Sequence, residues 1–453
     1  MPLANEGDIV AGMVSELETE ADQYASMGDE DEDEDEEQRK RHSSSVLEVV
    51  HNPSPKLLAL ANHLHGMIRA VRTPIRQPKA SDDARFRASL LSFTHALATN
   101  ALMRIPAHNG ISVAFNTSKY TGLGTSVTAL RQIRDTSEDL GLIVYRNGFN
   151  SPDKAKSFTT GIRHTAIFGE LVRSFEITMG DLIKAPTKVI AIRDPVDPSA
   201  RMPLDVRTSA TVLRRYNRQA QAGRLILPQE AWDALLARVI AADPTGRTHK
   251  LHRGYDEQRV YLTRRFAMTW ERGGRHYDGF WQSMPKDIRS QLLIDGEPTV
   301  ELDYSRLHPR MLYNREGLEL EDGFDPYTVP GFSVPTSVAK ETFNRLLNSR
   351  RKITCRNKDK AHFKNKGAFN TYRDAMIAHL KPIAHKFQND EGAKLQKIDS
   401  DLALKVMDRC MDEGIAVYPV HDSFIVTEDN AEALRTIMLE EYENMMGFPA
   451  EVK

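Results

Sequence analysis

Apolar residues follow a helical period in the first half of the chain and a strand period near its end. Residues 55–103 carry apolar positions three and four apart, which predicts helices. The segment 126–140 repeats this spacing, and Gly141 is placed to end that helix. Residues 143–168 then alternate apolar and polar positions around a turn rich in Gly, Asn, Ser and Pro. This pattern predicts a hairpin of two strands.

Two further segments end a predicted strand with a carboxylate. In 298–313 (PTVELDYSRLHPRMLY), the alternation runs as far as Asp303, and a helix-like run follows. In 401–426, a helix, Gly414 and a strand lead to a tight turn that holds Asp422. The two aspartates are 422 − 303 = 119 positions apart. Neighbouring strands could nevertheless present them side by side.

Such a pair of aspartates is a candidate metal site. Mg²⁺ favours carboxylate oxygens together with phosphate oxygens and water. Two such ions, roughly 3.5–4 Å apart, clamp the attacking and leaving oxygens of an in-line displacement. An aspartate in a turn more often serves the turn itself, so that structural explanation stays open for either residue alone.

Charge is segregated along the 453 residues, whose formal net charge is −2. The acidic run 29–37 cannot bury apolar surface, so we expect 1–50 to be a disordered acidic tail. It serves either for solvation or as a mimic of nucleic acid. The remainder is net basic, and 345–366 carries nine Lys or Arg against one Asp. That density suits a polyanionic partner, with a solvated loop as the alternative.

Several classes of protein are disfavoured by simple features. The sequence shows no evident signal peptide, and no apolar run approaches the roughly 20 residues that cross a bilayer. We therefore expect no membrane partner. Cys355 and Cys410 make neither a disulfide framework nor a zinc cluster. A reducing, cytoplasmic setting fits these features.

The helix, Gly141 and the basic hairpin resemble a winged-helix domain. In that family the helix reads a DNA groove and the hairpin contacts phosphates. A winged helix that serves only as a protein scaffold is the alternative. The residues placed for DNA contacts are Arg131 and Arg134 on the helix, and Lys154, Lys156 and Arg163 on the wing.

Short motifs in 271–453 resemble those of polymerases. DYSRLHPR (303–310) is similar to motif A of the family-A DNA polymerases, and VHDSF (420–424) is similar to motif C of that superfamily. The Ser-Phe ending of the latter is closer to phage-type single-subunit RNA polymerases. GGRHY (273–277) lies upstream of both motifs, and DPYT (325–328) and LQKIDSDLALKVM (395–407) lie between them. Their order matches the family order.

The resemblance implies an α+β right-hand polymerase palm with reduced fingers, preceded by a helical and winged-helix domain. The implied organisation is a tail at 1–50, a DNA-binding domain at 55–183, a linker at 184–203, a thumb-like helical region at 204–270 and the palm at 271–453.

The resemblance also implies roles for individual residues. Asp303 and Asp422 would be catalytic and hold two Mg²⁺ ions, for which Mn²⁺ can substitute. Nucleotide binding would involve Lys340, Tyr304, His308, Arg310 and Arg345, and primer and template binding would involve Arg275, Tyr277, Gln396 and His421.

The nucleotide-binding helix and the sugar position depart from the family pattern. The family's Arg and aromatic positions around Lys340 hold Thr336 and Asn348. Phe343 either stacks on the incoming base or belongs to the core, and the latter is favoured. The missing guanidinium would come from another turn. The candidates for it are Arg345, Arg350 and Arg351.

The fifth residue after Asp303 is His308, where the DNA polymerases of the family place Glu. A histidine can exclude a ribose 2′-hydroxyl or hydrogen-bond to it, so the choice of sugar stays open. We lean slightly towards ribonucleotides.

The favoured function is DNA-templated nucleotidyl transfer from nucleoside triphosphates, in the replication or transcription of a phage, plasmid or mobile element. RNA polymerase or primase is slightly preferred to DNA polymerase. Two alternatives stay open. One is a non-catalytic winged-helix replication initiator or transcription regulator with a degenerate palm, and the other is a metal-dependent nuclease.

Overall fold

A computed structural model of the chain shows a mixed α+β protein, as the sequence predicts. The chain divides into two compact units. The first comprises the described residues within 28–187 and 229–260, and the second comprises those within 188–228 and 261–453. The predicted tail lies outside the described residues, apart from residue 50. The structure describes 50, 53–72, 79–102, 111–113, 115, 125–147, 160–182, 188–223, 225–242, 259–321 and 323–453.

The first unit combines helices with a small sheet. Its elements up to residue 182 are α1 (Pro55–Val71), α2 (Ala80–Leu102), β1 (Ile111–Val113), α3 (Val127–Asp139), β2 (Ile143–Arg146), β3 (Thr160–His164), α4 (Ala166–Ser174) and a 3₁₀ turn at Met179–Leu182. The sheet is antiparallel in the order β1-β3-β2. Leu60, Leu64 and Ile68 of α1 share one apolar cluster with the strand residues Ile111 and Ile162. The unit therefore has a hydrophobic core of its own.

The predicted helix before Gly141 is confirmed as α3. Its start is capped by Ser126, whose side chain accepts a hydrogen bond from the Ala129 N–H. Gly141 follows the C-cap residue with φ of +68°, a left-handed conformation that glycine adopts without a steric penalty. The predicted hairpin is confirmed by the antiparallel pairing of β2 with β3.

The second unit holds two sheets and most of the remaining helices. In chain order the elements are β4 (Ile190–Arg193), α5 (Leu204–Ala222), β5 (Leu225–Ile226), α6 (Gln229–Ala242, which belongs to the first unit), β6 (Thr263–Ala267), β7 (Thr269–Tyr277), a 3₁₀ turn (Phe280–Ser283), α7 (Lys286–Arg289), β8 (Leu293–Ile294), β9 (Glu297–Asp303), α8 (Leu307–Arg315), α9 (Thr336–Asn348), a 3₁₀ turn (Lys358–Ala361), α10 (Lys366–His379), a 3₁₀ helix (Lys381–Lys386), α11 (Gly392–Asp412), β10 (Tyr418–Val420), β11 (Ser423–Thr427), a 3₁₀ turn (Glu428–Asn430) and α12 (Ala431–Met446). One sheet has the order β4-β6-β7, and the other has the order β10-β11-β9-β8-β5.

The segment 184–203, predicted to be an interdomain connection, contains strand β4. This strand pairs in parallel with β6, and Val189 and Ile190 are buried. The boundary between the two units does fall inside the segment, between Thr187 and Lys188. Prolines and charged residues at both ends of the segment made its short apolar run hard to recognise as a strand. Pairing with β6 gives that run its strand conformation.

Among the described residues of 204–270, a region predicted to be helical, helix is confined to α5 and α6. Its last part is strand β6, which pairs antiparallel with β7. Leu262 and Phe266 are buried while Arg265 is exposed. Pairing with β7 and burial against it thus decide the conformation of 263–267, because this segment is too short for its apolar pattern to distinguish a strand from a helix.

Helix α11 supports the elements that carry the candidate site. It packs against β7, α5 and α12. Its buried residues include Val406, Met407 and Cys410. Tyr216 of α5 donates a hydrogen bond of 2.9 Å to the carbonyl of Val417, just before β10. Helix α11 therefore connects β7, the strand that carries GGRHY, with helices α5 and α12.

A bulge in β7 requires glycine. The register between β6 and β7 shifts on both sides of Phe266, opposite Gly273 and Gly274. Gly274 has φ of +84°, and a Cβ added there would lie 2.9 Å from Cε1 of Phe266 and 3.2 Å from Oγ of Ser400. Both the backbone conformation and the space exclude a larger side chain, and the bulge sets the direction of the next residue, Arg275.

We expect Gly274→Ala to lower the free energy of unfolding by about 1–3 kcal/mol more than Gly296→Ala does. Gly296 is the matched control because its φ of +92° is equally unfavourable for alanine, but nothing lies within 4 Å of an added Cβ. Urea unfolding of the two variants measures the difference. Equal losses for both would show that the close approach at Gly274 carries no cost.

Candidate functional site

The turn between β10 and β11 consists of His421 and Asp422. A hairpin loop of two residues requires positive φ, and His421 has φ of +59°. The hairpin is antiparallel, with Val420 opposite Ser423. The tight turn therefore presents Asp422 at the end of the hairpin, as the sequence predicts.

The register between β9 and β11 brings Asp422 next to Asp303. Ser423 lies directly opposite Asp303, and Ile425 lies opposite Glu301. Asp422 is the residue before Ser423, so it adjoins the last residue of β9. Two carboxylates from distant parts of the chain thus meet at one edge of the five-stranded sheet.

The pairing of like charges changes the acidity of Asp303. Burial, and next the negative charge of Asp422, raise the pKa of Asp303 to about 6. Lys453 opposes this, with its Nζ 3.7 Å from Asp303 Oδ2. A cation bound between the carboxylates would relieve the repulsion, so the electrostatics of the pair fit a metal site.

A third carboxylate, Glu301, lies two residues before Asp303 but is already paired. It forms an ion pair with Arg289, with 2.9 Å between Nε and Oε2, and accepts a hydrogen bond of 2.6 Å from Ser423 Oγ. Burial acts to raise the pKa of Glu301, but Arg289 and Ser423 hold it below its usual value. Glu301 therefore braces β9 against β11 and is not a free ligand.

In the part of the chain that the structure describes, no group of three or more His, Cys, Asp or Glu is arranged to hold a metal ion. Asp303 and Asp422 alone would leave most coordination positions of Mg²⁺ to other oxygens. Phosphate and water supply such oxygens in many nucleotide sites.

Arg275 does not extend freely towards a ligand. It forms an ion pair with Asp399 of α11, with 2.6 Å between Nη2 and Oδ2, and both side chains are largely buried. Burial acts to lower the pKa of Arg275, but Asp399 raises it, and the charge of Asp422 adds to the effect. The residue predicted to grip a duplex backbone thus makes an ion pair within the protein, and its role towards nucleic acid stays a prediction.

His308 joins the same cluster. Its Nε2 lies 2.7 Å from Asp399 Oδ2 and 3.4 Å from Arg275 Nη2. Although burial acts to raise the pKa of Asp399, Arg275 and His308 lower it to about 2. Sequence reasoning missed Asp399, because nothing in its local pattern separates it from the neighbouring Asp401.

His421 is neutral near pH 7. Burial, and next the positive charge of Arg275, lower its pKa to about 4. The ring of Tyr277 meets it edge-on, with 5.4 Å between ring centroids. Tyr277 and His421, two of the four residues predicted to bind primer or template, are therefore in contact with each other, and His421 directly precedes Asp422. Gln396, another of the four, lies half-buried on α11.

Lys340 is exposed on α9 and contacts Tyr327. Its Nζ lies 5.6 Å from the centre of the Tyr327 ring, in a cation–π contact. Burial, and next the charges of Asp325 and Asp422, raise the pKa of Tyr327. Tyr327 thus contacts Lys340, and the charge of Asp422 acts on its hydroxyl. Phe343 on the same helix is fully buried, which confirms its assignment to the core.

Tyr304 and Arg310, two of the residues predicted to bind the nucleotide, make contacts inside the protein. The Tyr304 hydroxyl donates to the carbonyl of Met438 at 2.6 Å, and its ring is buried. Arg310 is 2 % exposed and lies against the carbonyls of Leu320 and Pro449. Motif similarity located these positions, but burial removes their side chains from solvent.

Arg345 is likewise held inside the protein. It pairs with Asp359 at 2.9 Å and donates to the carbonyl of Thr354, so it fastens the basic segment to α9. Arg350, an alternative source of the missing guanidinium, pairs with Asp390 at 2.8 Å while its side chain stays exposed. Arg351 is exposed.

The residues predicted to contact DNA fall into three groups. Arg131 on α3 and Arg163 on β3 are exposed, as such contacts require. Arg134 is instead packed over the rings of Phe115 and Tyr145, at 4.8 and 4.4 Å, and paired with Asp135. Helical spacing could not reveal these aromatic contacts, and a DNA contact of Arg134 stays a prediction. Lys154 and Lys156 lie outside the described residues.

Comparison of the chain with protein-family models and with curated proteins found no match to either. The resemblance of the short motifs therefore stays a prediction. None of the helices in the described ranges combines the length and apolarity needed to cross a membrane.

We expect Asp303→Asn to raise the melting temperature at pH 8 without divalent cations, by about 2 °C. The pKa of Asp303 is raised in the folded state to about 6, from 3.8, so ionisation opposes folding fully above pH 6 and not below pH 3.8. The gain should therefore vanish near pH 4. Scanning calorimetry at both pH values measures it. Asp429→Asn, at an exposed carboxylate beyond β11, is the control. A loss of stability at pH 8 would contradict the repulsion.

Proposed function

We propose that the chain is a DNA-templated nucleotidyltransferase with a palm-like catalytic unit, which extends nucleic acid with nucleoside triphosphates. The observation that carries the proposal is the register of Ser423 against Asp303, because it juxtaposes Asp422 and Asp303. The first unit, in this proposal, is a winged-helix module that binds duplex DNA.

The carboxylate pair fits two divalent cations. Asp303 and Asp422 would hold them, and the raised pKa of Asp303 is the electrostatic strain that cation binding would relieve. When bound, Mg²⁺ ions make a 3′-hydroxyl more acidic and neutralise the charge of the leaving pyrophosphate.

The surroundings of the pair supply groups for a nucleotide. Lys340 is an exposed ammonium near Tyr327, and it suits the charge of a triphosphate. His421 is neutral and therefore brings no positive charge to Asp422. Arg275 is held in a fixed position by its ion pair with Asp399, and its charge interacts with Asp422. The chain's own contribution would be positioning and charge stabilisation.

We expect Asp303→Asn and Asp422→Asn each to slow nucleotide incorporation by about 1,000-fold or more, since each removes a metal ligand worth several kcal/mol at the transition state. The assay supplies Mg²⁺, primed or unprimed DNA, and labelled dNTPs or NTPs in separate tubes. Asp429→Asn, an exposed carboxylate beyond the other end of β11, should retain full activity.

The same assay separates the rival functions. Release of pyrophosphate supports synthesis, whereas shortened strands indicate a nuclease that uses the same carboxylates. Salt-sensitive but metal-independent DNA binding, with no incorporation, indicates a non-catalytic initiator or regulator. Unimpaired incorporation by either Asn variant would exclude the two-carboxylate mechanism.

We expect Arg131→Ala and Arg163→Ala to weaken binding of duplex DNA similarly for all sequences. Each loses one phosphate contact, so the slope of log K against log salt should fall by about 1. Arg173→Ala is the control, because Glu170 already pairs with this exposed arginine at 2.5 Å. Fluorescence anisotropy at several salt concentrations gives the slopes. Unchanged slopes for Arg131→Ala and Arg163→Ala would show that DNA does not bind this face.

A further inference from the structure

Asp399 connects two residues from separate elements. It lies on α11 with its side chain 3 % exposed. Its Oδ2 accepts a hydrogen bond of 2.6 Å from Nη2 of Arg275 on β7, and lies 2.7 Å from Nε2 of His308 on α8. An ionised carboxylate can only accept hydrogen bonds, so Nε2 of His308 must carry the proton. One buried group therefore fixes both the position of Arg275 and the orientation of the His308 ring.

This cluster borders the carboxylate pair. The charge of Asp422 acts on Arg275, whose guanidinium also contacts His308. His308 lies in the first turn of α8, which begins shortly after Asp303 at the end of β9. A nucleotide whose phosphates met Asp303 and Asp422 would have its sugar within a short distance of the phosphates. His308 is placed for that region.

The ring of His308 keeps one nitrogen for a ligand. Nε2 is committed to Asp399, whereas Nδ1 makes no hydrogen bond within the described part of the chain. The side chain is 20 % exposed, so a ligand can reach it. With the proton on Nε2, Nδ1 is an acceptor, so a hydroxyl can donate a hydrogen bond to it, whereas a carbon-bound hydrogen cannot.

We infer that Asp399 is a positioning residue that fixes His308 for the 2′-hydroxyl of the incoming nucleotide, and so makes the protein prefer ribonucleoside to deoxyribonucleoside triphosphates. The inference rests on the proposed function. A site that hydrogen-bonds a hydroxyl discriminates against the analogue that lacks it, because the protein group is then left unpaired. A ring already held by Asp399 loses little freedom on binding.

The test compares kcat/KM for one NTP and the matching dNTP in the wild type, Asp399→Asn, His308→Ala and the double variant. We expect Asp399→Asn to lower the NTP-to-dNTP ratio about tenfold, mainly through a higher KM for the NTP, which is the effect of one hydrogen bond. His308→Ala should give the same loss, and the double variant should lose no more, because Asp399 acts through His308.

Asp401→Asn is the matched control. Asp401 lies on the same helix and pairs with the buried Arg264 at 2.5 Å, but has no contact with His308. It should lower stability and leave the ratio unchanged. If Asp399→Asn fails to fold, the NTP-to-dNTP ratio of His308→Ala still tests the inference, because Asp399 and Arg275 stay paired in that variant.

An unchanged ratio in Asp399→Asn or His308→Ala, or additive losses in the double variant, would overturn the inference. A wild-type protein that uses the NTP and the dNTP equally well would also overturn the inference, while leaving the proposed transferase activity in place. A wild type that incorporates no nucleotide at all would instead defeat the proposed function, together with the inference that rests on it.

Discussion

The antiparallel register of β9 against β11 is the constraint on which the site depends. Because Ser423 faces Asp303, the two-residue turn before Ser423 must carry Asp422 to the same edge of the sheet. The pairing places like charges together in a partly buried position, which raises the pKa of Asp303 to about 6. A sheet register that concentrates such charge is unfavourable by itself, and the surrounding residues compensate for it. One-residue slippage would move every side chain of β11 to the other face and separate the pair.

Compensation comes from the cations Arg289, Arg275 and Lys453, each of which approaches a carboxylate of this region. Arg289 is paired with Glu301, which also accepts the hydrogen bond of Ser423 and so ties the two strands together. Arg275 is paired with Asp399. Lys453 approaches Asp303 through a segment whose backbone bonds to that residue in both directions at 3.0 Å. The site therefore has a preorganised electrostatic environment, in which few charged groups are free to move.

Burial separated the predicted ligand-binding residues into those that can meet a ligand and those that cannot. Motif resemblance located Lys340, Tyr304 and Arg310 by their spacing from the aspartates, but only Lys340 is exposed. The others satisfy backbone carbonyls inside the second unit. Arg134 in the first unit shows the same effect, since its guanidinium packs on two aromatic rings. Short motifs identify positions, whereas packing decides which way a long side chain turns.

The sequence by itself determined the local features whose physics is local. These include the helix that Ser126 caps and Gly141 ends, the tight hairpin around Asp422, and the strand that ends at Asp303. Only the tertiary structure decided that β4 is a strand and that Asp399 is a buried acceptor for Arg275 and His308. Strand pairing and buried ion pairs join residues far apart in the chain, so no short window contains both partners. The meeting of Asp303 and Asp422 depended on both levels. Each local pattern supplied one carboxylate, and the register of two distant strands brought the two together.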